Sequence, residues 1–247
     1  MRERLDVILT AKGLAKSRTA AQQMIKSGDV TVNGAAVLKP SEQFDAESDN
    51  FAVSGASDVL KYVGRGGFKL ETAINSFGLS LSGKTCLDIG ASTGGFTDCM
   101  LQNGAKKVYA VDVGTNQLAE KLRLDSRVVS LEKLDIRKVT DEIPEKIDFF
   151  GIDVSFISLK LILPELKRFA EENAEGAALI KPQFECGHIK NGKNGVIKDS
   201  KLQEKIVADI CGFAVALGFN DIKTVPSSIL GGDGNKEFLM HFSLCGD

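Results

Sequence analysis

Leu87-Asp88-Ile89-Gly90-Ala91-Ser92-Thr93-Gly94-Gly95-Phe96-Thr97 closes one short apolar run and opens a helical pattern. A strand, a glycine turn and a helix in that order predict the first β-α unit of a doubly wound sheet. The glycines allow a tight turn and let the backbone come close to a ligand. A dinucleotide fingerprint, G-x-G-x-x-G, would place a third glycine at position 92, where this chain has serine. The loop reads D-x-G-x-x-x-G-G instead, with its acid ahead of the first glycine. That pattern suits a cationic or amine-bearing ligand better than a pyrophosphate.

Val108-Tyr109-Ala110-Val111-Asp112 follows about twenty residues later and ends in a second acid. An aspartate there can accept both ribose hydroxyls of an adenosine. Asp135, beyond the third strand, is where a carboxylate facing adenine would sit, a solvated loop acid being the alternative. Together these predict S-adenosylmethionine as the cofactor. The residues expected around it are Asp88, Gly90, Ala91, Ser92, Gly94, Gly95, Phe96, Asp112 and Asp135. The Asp88 carboxylate is expected to complement the methionine sulfonium or amino group.

Outward from this loop, strands and helices alternate. Helix 67–77, strand 85–89, helix 95–103, strand 107–112, helix 116–123 and strand 128–132 come first. Strand 147–153, helix 158–172, strand 177–181 and helix 200–217 follow. The last two strands, 221–226 and 237–244, have no helix between them. The expected fold class is α/β: a Rossmann-like methyltransferase whose seven-stranded, mostly parallel sheet ends in an antiparallel edge or insertion. Ahead of it, Leu5, Ile8 and Leu9 mark one helix face, and Ala20, Ala21, Met24 and Ile25 a second. Val30-Thr31-Val32, the turn Asn33-Gly34 and the return through Leu38 predict a hairpin that Phe51-Ala52-Val53 can extend. We therefore expect a small α+β domain over 1–58, a linker over 59–67 and the methyltransferase domain over 68–247.

The chain has 247 residues and a net charge of -2, so charge as a whole does not point to nucleic acid. Residues 1–40, however, hold seven Lys/Arg against three Asp/Glu. Arg4, Lys12, Lys16 and Arg18 are candidate phosphate contacts there, with solvated helix faces as the alternative. The five cysteines form no C-x-x-C pair and predict reduced thiols in a cytoplasmic protein. No apolar run reaches the roughly 18 residues of a membrane span. His188 and His241 are too isolated for a metal site and are read as structural or surface residues. Residues 186–199 read as a basic, glycine-containing loop, either a lid or a solvated connection.

Four charged residues sit where charge is costly. Lys69 precedes the first strand, Asp153 and Lys181 end apolar strands, and Glu237 begins the last one. Ligands in open α/β sheets bind beyond the carboxyl ends of the parallel strands, so Asp153 and Lys181 should flank the cofactor. Two lysines and two acids can form a compensated cluster in a cleft. A ribose hydroxyl is a poor nucleophile, and a lysine amine desolvated in such a cleft can take its proton. Lys181 is the expected base, Lys69 shapes the field and holds substrate, and Asp153 and Glu237 orient the amines.

Several stretches then carry a family resemblance: Arg4-Leu5-Asp6 with Ser17-Arg18, Tyr62 to Leu70, Asp88 to Asp98, Ile152 to Ser158, Lys181-Pro182-Gln183-Phe184-Glu185, and Gly234 to Phe238. In this combination the chain resembles, end to end, the hemolysin A (TlyA) family of ribosomal RNA 2′-O-methyltransferases, with an FtsJ/RrmJ-like catalytic domain. The resemblance implies a Lys-Asp-Lys-Glu tetrad at Lys69, Asp153, Lys181 and Glu237. It also implies an RNA-binding fold of ribosomal-protein type over 1–58, and cytidine ribose in ribosomal RNA of ribosomal subunits as substrate. Gly64 and Thr115 depart from the family, which commonly has serine and an aromatic residue there. Arg65, between the linker glycines and close to Lys69, is a further candidate RNA contact. The competing classes are a membrane-active haemolysin, a nonenzymatic assembly factor and, more distantly, a nicotinamide oxidoreductase.

Overall fold

The computed structural model describes residues 2–15, 17–26, 30–53, 61–186, 196–232 and 234–244. Lys16, His188, Cys245 and the centre of the basic loop, 187–195, lie outside the described residues. The chain divides into two compact units, Met1–Lys61 and Tyr62–Asp247. Residues 62–67, expected as linker, thus belong to the second unit: Tyr62 is buried and a helix already starts at Gly66.

The first unit contains β1 (Arg2–Arg4), α1 (Leu5–Ala11), α2 (Arg18–Lys26), β2 (Val30–Val32), β3 (Ala35–Ala36), β4 (Gln43–Asp45) and β5 (Phe51–Val53). Leu5, Leu9, Ala21, Met24, Ile25, Val30 and Val32 form its apolar core. β2 pairs with β3 through the Asn33-Gly34 turn and with β5 on its other side. Both turn residues have positive φ, as the hairpin twist requires. The pairing of β1 with β4 has no counterpart in the apolar pattern, because Arg2–Arg4 is polar and exposed and β4 offers a single apolar side chain, Phe44.

Inside this unit Asp6 is fully buried and gathers three donors. Arg4 donates to both of its oxygens at 2.9 Å, Arg18 donates at 3.3 Å and Gln22 at 2.7 Å. The neighbouring guanidinium of Arg4 holds the Asp6 carboxyl well below the usual carboxylate range. The arginines expected to contact RNA are therefore tied to a buried acid, although both keep an exposed side (43% and 57%). Lys12 lies with Nζ 5.5 Å from the Phe51 ring centroid.

In the second unit α3 (Gly66–Phe77) leads to β6 (Thr85–Ile89), α4 (Gly95–Gln102), β7 (Lys107–Asp112), α5 (Glu120–Arg123) and β8 (Val128–Glu132). β9 (Ile147–Ile152), β10 (Ala170–Ile180), α6 (Pro182–Glu185), α7 (Ser200–Ala216), β11 (Phe219–Pro226) and β12 (Phe238–Leu244) complete it. The seven strands run in the order β11-β12-β10-β9-β6-β7-β8. β12 is antiparallel to both neighbours, and the five strands from β10 to β8 are parallel. The expected terminal insertion is thus a strand wedged between β10 and β11.

The helix read over 116–123 shrinks to α5, Glu120–Arg123, and a larger departure lies ahead of β10. The helix read over 158–172 is two 3-10 turns, Leu159–Leu161 and Leu163–Arg168, and β10 begins at Ala170. Pro164 has no amide hydrogen and starts the second turn, while Asn173 at φ 61 marks the register shift by which β10 joins β9. Apolar side chains at 159, 162, 163 and 166 still reach the core, which is why the spacing imitates a helix. His241 is structural as read: it is buried, with Nε2 3.3 Å from Glu175 Oε2. Among the described residues Cys86, Cys99, Cys186 and Cys211 are in no disulfide. Among the described residues no helix is long and apolar enough to cross a membrane.

Replacing Asp6 by alanine removes the buried carboxylate to which Arg4, Arg18 and Gln22 donate. We expect a loss of about 1–3 kcal/mol from the first unit, seen as faster hydrogen exchange in α1 and α2 with the second unit unchanged.

Candidate active site

Asp88, one residue from the end of β6, is completely buried. Its Oδ2 accepts from the Thr97 amide at 2.8 Å and from the Thr97 hydroxyl at 2.6 Å, which ties the strand to the first turn of α4. Its Oδ1 is buried without a hydrogen-bond partner. Burial pushes the Asp88 carboxyl up to about 7. Asp88 lies beneath the loop and is not among the residues that line the cavity above it.

The loop itself depends on two glycines. Gly90 has φ +86, and a Cβ there would meet the Asp153 carbonyl oxygen at 2.5 Å. Gly94 has φ +94, and its Cβ would collide with Leu122 at 2.2 Å. Asp112 holds the far side of the turn, accepting from the Ser92 amide at 2.7 Å and the Gly114 amide at 2.6 Å. A carboxylate has about four acceptor sites, so this leaves lone pairs for a ligand diol. Asp135 is engaged elsewhere: it caps the 3-10 turn Ile136–Lys138 and pairs with Arg137 at 2.6 Å. The guanidinium holds its carboxyl below the usual range.

Above the loop lies a cavity of about 190 Å³ lined by Gly66, Gly90 to Thr93, Gly95, Phe96, Asp153, Ser155 and Lys181. The sheet register explains how distant residues meet there. Ile89 pairs with Ile152, so Gly90 and Asp153 leave adjacent strands side by side. Ile180 pairs with Phe238 in the antiparallel ladder, so one step further places Lys181 across from Glu237. Asp153, Lys181 and Glu237 thus stand at the ends of neighbouring strands, and Lys69 reaches them from α3.

The four charges resolve into two pairs. Lys69 donates to Glu237 Oε2 at 2.6 Å, with both side chains almost fully buried. Lys181 Nζ lies 2.6 Å from Asp153 Oδ1 and donates to Ser155 Oγ at 2.8 Å. Only the Lys181–Asp153 pair opens on the cavity.

Sequence reasoning assigned no role to three neighbours. Ser155 is the hydroxyl on Lys181. Phe156 is 89% exposed at φ 64, its ring centroid 4.9 Å from that of Phe184. Glu185 accepts from the Ser158 hydroxyl and the Leu159 amide, anchoring the chain that carries Ser155 and Phe156. Burial pushes the Glu185 carboxyl up. An exposed aromatic just past a strand end was visible in the sequence, but its left-handed backbone was not. Arg65, exposed just ahead of α3, donates to the Leu230 carbonyl at 2.6 Å.

Residues 62–244 match the FtsJ-like methyltransferase family. The chain belongs to that family. Residues 3–50 match the S4 domain. Among curated relatives, the 16S/23S rRNA (cytidine-2′-O)-methyltransferase TlyA of Mycobacterium tuberculosis is 40% identical over 97% of this chain and 89% of its own length. Hemolysin A of Brachyspira hyodysenteriae is 44% identical over 97% of this chain and 99% of its own. A Streptococcus thermophilus protein whose solved structure carries a hemolysin name is 45% identical, covers 100% of this chain and 90% of its own, and has a TM-score of 0.77.

An FtsJ-like methyltransferase uses S-adenosylmethionine, and the residues around the cavity fit it. Asp153 offers a carboxylate to a cationic ligand, the start of α4 offers a close backbone, and Asp112 offers acceptors for a diol. Among the described residues no His/Cys/Asp/Glu cluster could hold a metal ion.

Because the folded carboxyl of Asp88 is raised from its ordinary 3.8, its favourable contribution is complete at low pH and lost as pH rises through about 7. We expect the melting temperature of the donor-free protein to fall across pH 4–7. Asp88→Asn, which still accepts from Thr97, should flatten that fall, as a thermal-shift series in matched buffers would show.

Proposed function

We propose that this methyltransferase modifies the 2′-hydroxyl of a cytidine ribose in ribosomal RNA, with Lys181 as the general base. The observation that carries the reading is the Lys181 amine, almost buried, paired with Asp153 and opening on the donor cavity. Bound in that cavity, the donor supplies an electrophilic methyl group on a cationic sulfur. The ribose O–H proton passes to Lys181 Nζ as the new O–C bond forms and the C–S bond breaks, the electron pair staying on sulfur. Asp153 balances the ammonium that results, and the buried Lys69–Glu237 pair keeps the neighbouring strand end neutral overall.

The acceptor is supported by the names of relatives that share most of this chain, among them the cytidine-2′-O-methyltransferase of M. tuberculosis above. Phe156 and Phe184 add a physical reason. A nucleotide must leave its stack to expose its 2′-oxygen to an enclosed donor, and the exposed Phe156, packed on the Phe184 ring that neighbours Lys181, can receive the base.

In this reading residues 1–58 grip the RNA of a ribosomal subunit, and residues 68–247 carry out the transfer. Arg4, Lys12, Arg18 and Arg65 present exposed charge to phosphates; Lys16 completes the proposed set. The reaction belongs in the cytoplasm, where ribosomal subunits and reduced thiols are found together.

Lys181→Ala should lower methyl transfer about 10²–10⁴-fold while calorimetry shows undiminished S-adenosylmethionine binding. Ribose-methylation mapping of ribosomal RNA from cells with and without the protein should differ at a cytidine. A map with no altered site would retire the ribosomal acceptor, and an active Lys181→Ala would retire the base.

A further inference from the structure

We infer that Ser155 is a positioning residue for the reaction, orienting the Lys181 amine toward the acceptor oxygen; this rests on Lys181 being the base. The geometry separates two tasks that a single partner usually combines. Asp153 Oδ1 lies 2.6 Å from Lys181 Nζ and supplies the opposite charge. A tetrahedral amine held by one partner can still turn about that contact, so the carboxylate alone does not fix where the remaining positions face. Ser155 Oγ accepts from the amine at 2.8 Å. A lysine amine is a rotating group on a flexible stem, so this second partner decides where its free valence points.

Ser155 is itself held firmly enough to do this. The chain leaves β9 with the Asp153 amide bonded to the Ile89 carbonyl. It turns at Phe156, where φ is 64, and is tied down three residues beyond Ser155 by Glu185, which accepts from the Ser158 hydroxyl at 2.5 Å. Phe184, next to Glu185, packs on Phe156 and lies 5.9 Å from Lys181 Nζ. Ser155 therefore sits between two anchored points, with its hydroxyl on the cavity wall. Its oxygen accepts from Lys181, and it acts on the reaction through that bond alone. The hydroxyl undergoes no net change: the proton goes from the acceptor to Lys181 and then to solvent.

The test uses the full chain, radiolabelled S-adenosylmethionine and ribosomal subunits from a strain lacking this protein. Ser155→Ala is expected to lower kcat about 10–100-fold, the effect of losing one charge-assisted hydrogen bond, with donor KM and calorimetric donor affinity unchanged. Ser155→Thr, which keeps the hydroxyl, should restore most of the rate. Ser155→Cys, similar in size but a weak acceptor, should be as slow as the alanine variant and keeps the test open if alanine disturbs folding. In a Lys181→Ala background, Ser155→Ala should cost nothing further in single-turnover rates, because both act through the same amine. A Ser155→Ala enzyme within twofold of wild type, a loss confined to donor KM, or a full additional loss in the Lys181→Ala background would each overturn the proposal. Lys181→Ala retaining activity would instead overturn the base itself, so the two failures are distinguishable.

Discussion

The buried carboxylate of Asp88 is the point from which the donor site is built. It lies at the carboxyl end of the central strand β6, where parallel strands leave their last backbone groups and where α4 must begin. By accepting from both the amide and the hydroxyl of Thr97, it closes the glycine loop onto the helix and fixes the curvature that forms the cavity floor. The cost is a carboxyl in a dry environment, expressed as its pKa near 7. Asp112 makes the complementary tie from β7, bonding the Ser92 amide at the opposite side of the same turn. With both ends secured, the positive φ values of Gly90, Ser92 and Gly94 are held by their surroundings.

Charge neutralisation by adjacent strand ends is the second constraint. β9, β10 and β12 each terminate in an ionisable residue at the same edge of the sheet, and no one of them could be buried alone. The wedge of β12 between β10 and β11 places Glu237 opposite Lys181, and the α3 helix supplies Lys69 as its partner. That leaves Asp153 as the ion-pair partner of Lys181, and both line the cavity. Ser155, from the turn after β9, takes up the directional role.

The first unit uses the same device in a simpler setting. Asp6 is buried at the start of α1 and draws Arg4, Arg18 and Gln22 together. It joins β1 and both helices, so a unit with a small apolar core gains a polar fastening. The arginines keep one exposed side each, and the same residues can stabilise the unit and present positive charge outward.

Read alone, the sequence specifies the alternation of strands and helices, the glycine loop with Asp88 and Asp112, and three charged strand boundaries with Lys69 in the helix ahead of them. These are local matters: apolar periodicity, the backbone freedom of glycine and the cost of charge next to apolar runs all act over a few residues. It misread 158–172 as a helix because turns of 3-10 type bury nearly the same positions. What only the tertiary structure decided is pairing and direction. Asp88 turns inward to Thr97, Asp135 turns to Arg137, and Lys69 takes Glu237 while Lys181 takes Asp153. The roles of Ser155, Phe156 and Glu185 also emerged only there. Register between distant strands brings such groups together, and a left-handed backbone at Phe156 aims them; neither leaves a periodic trace in the chain.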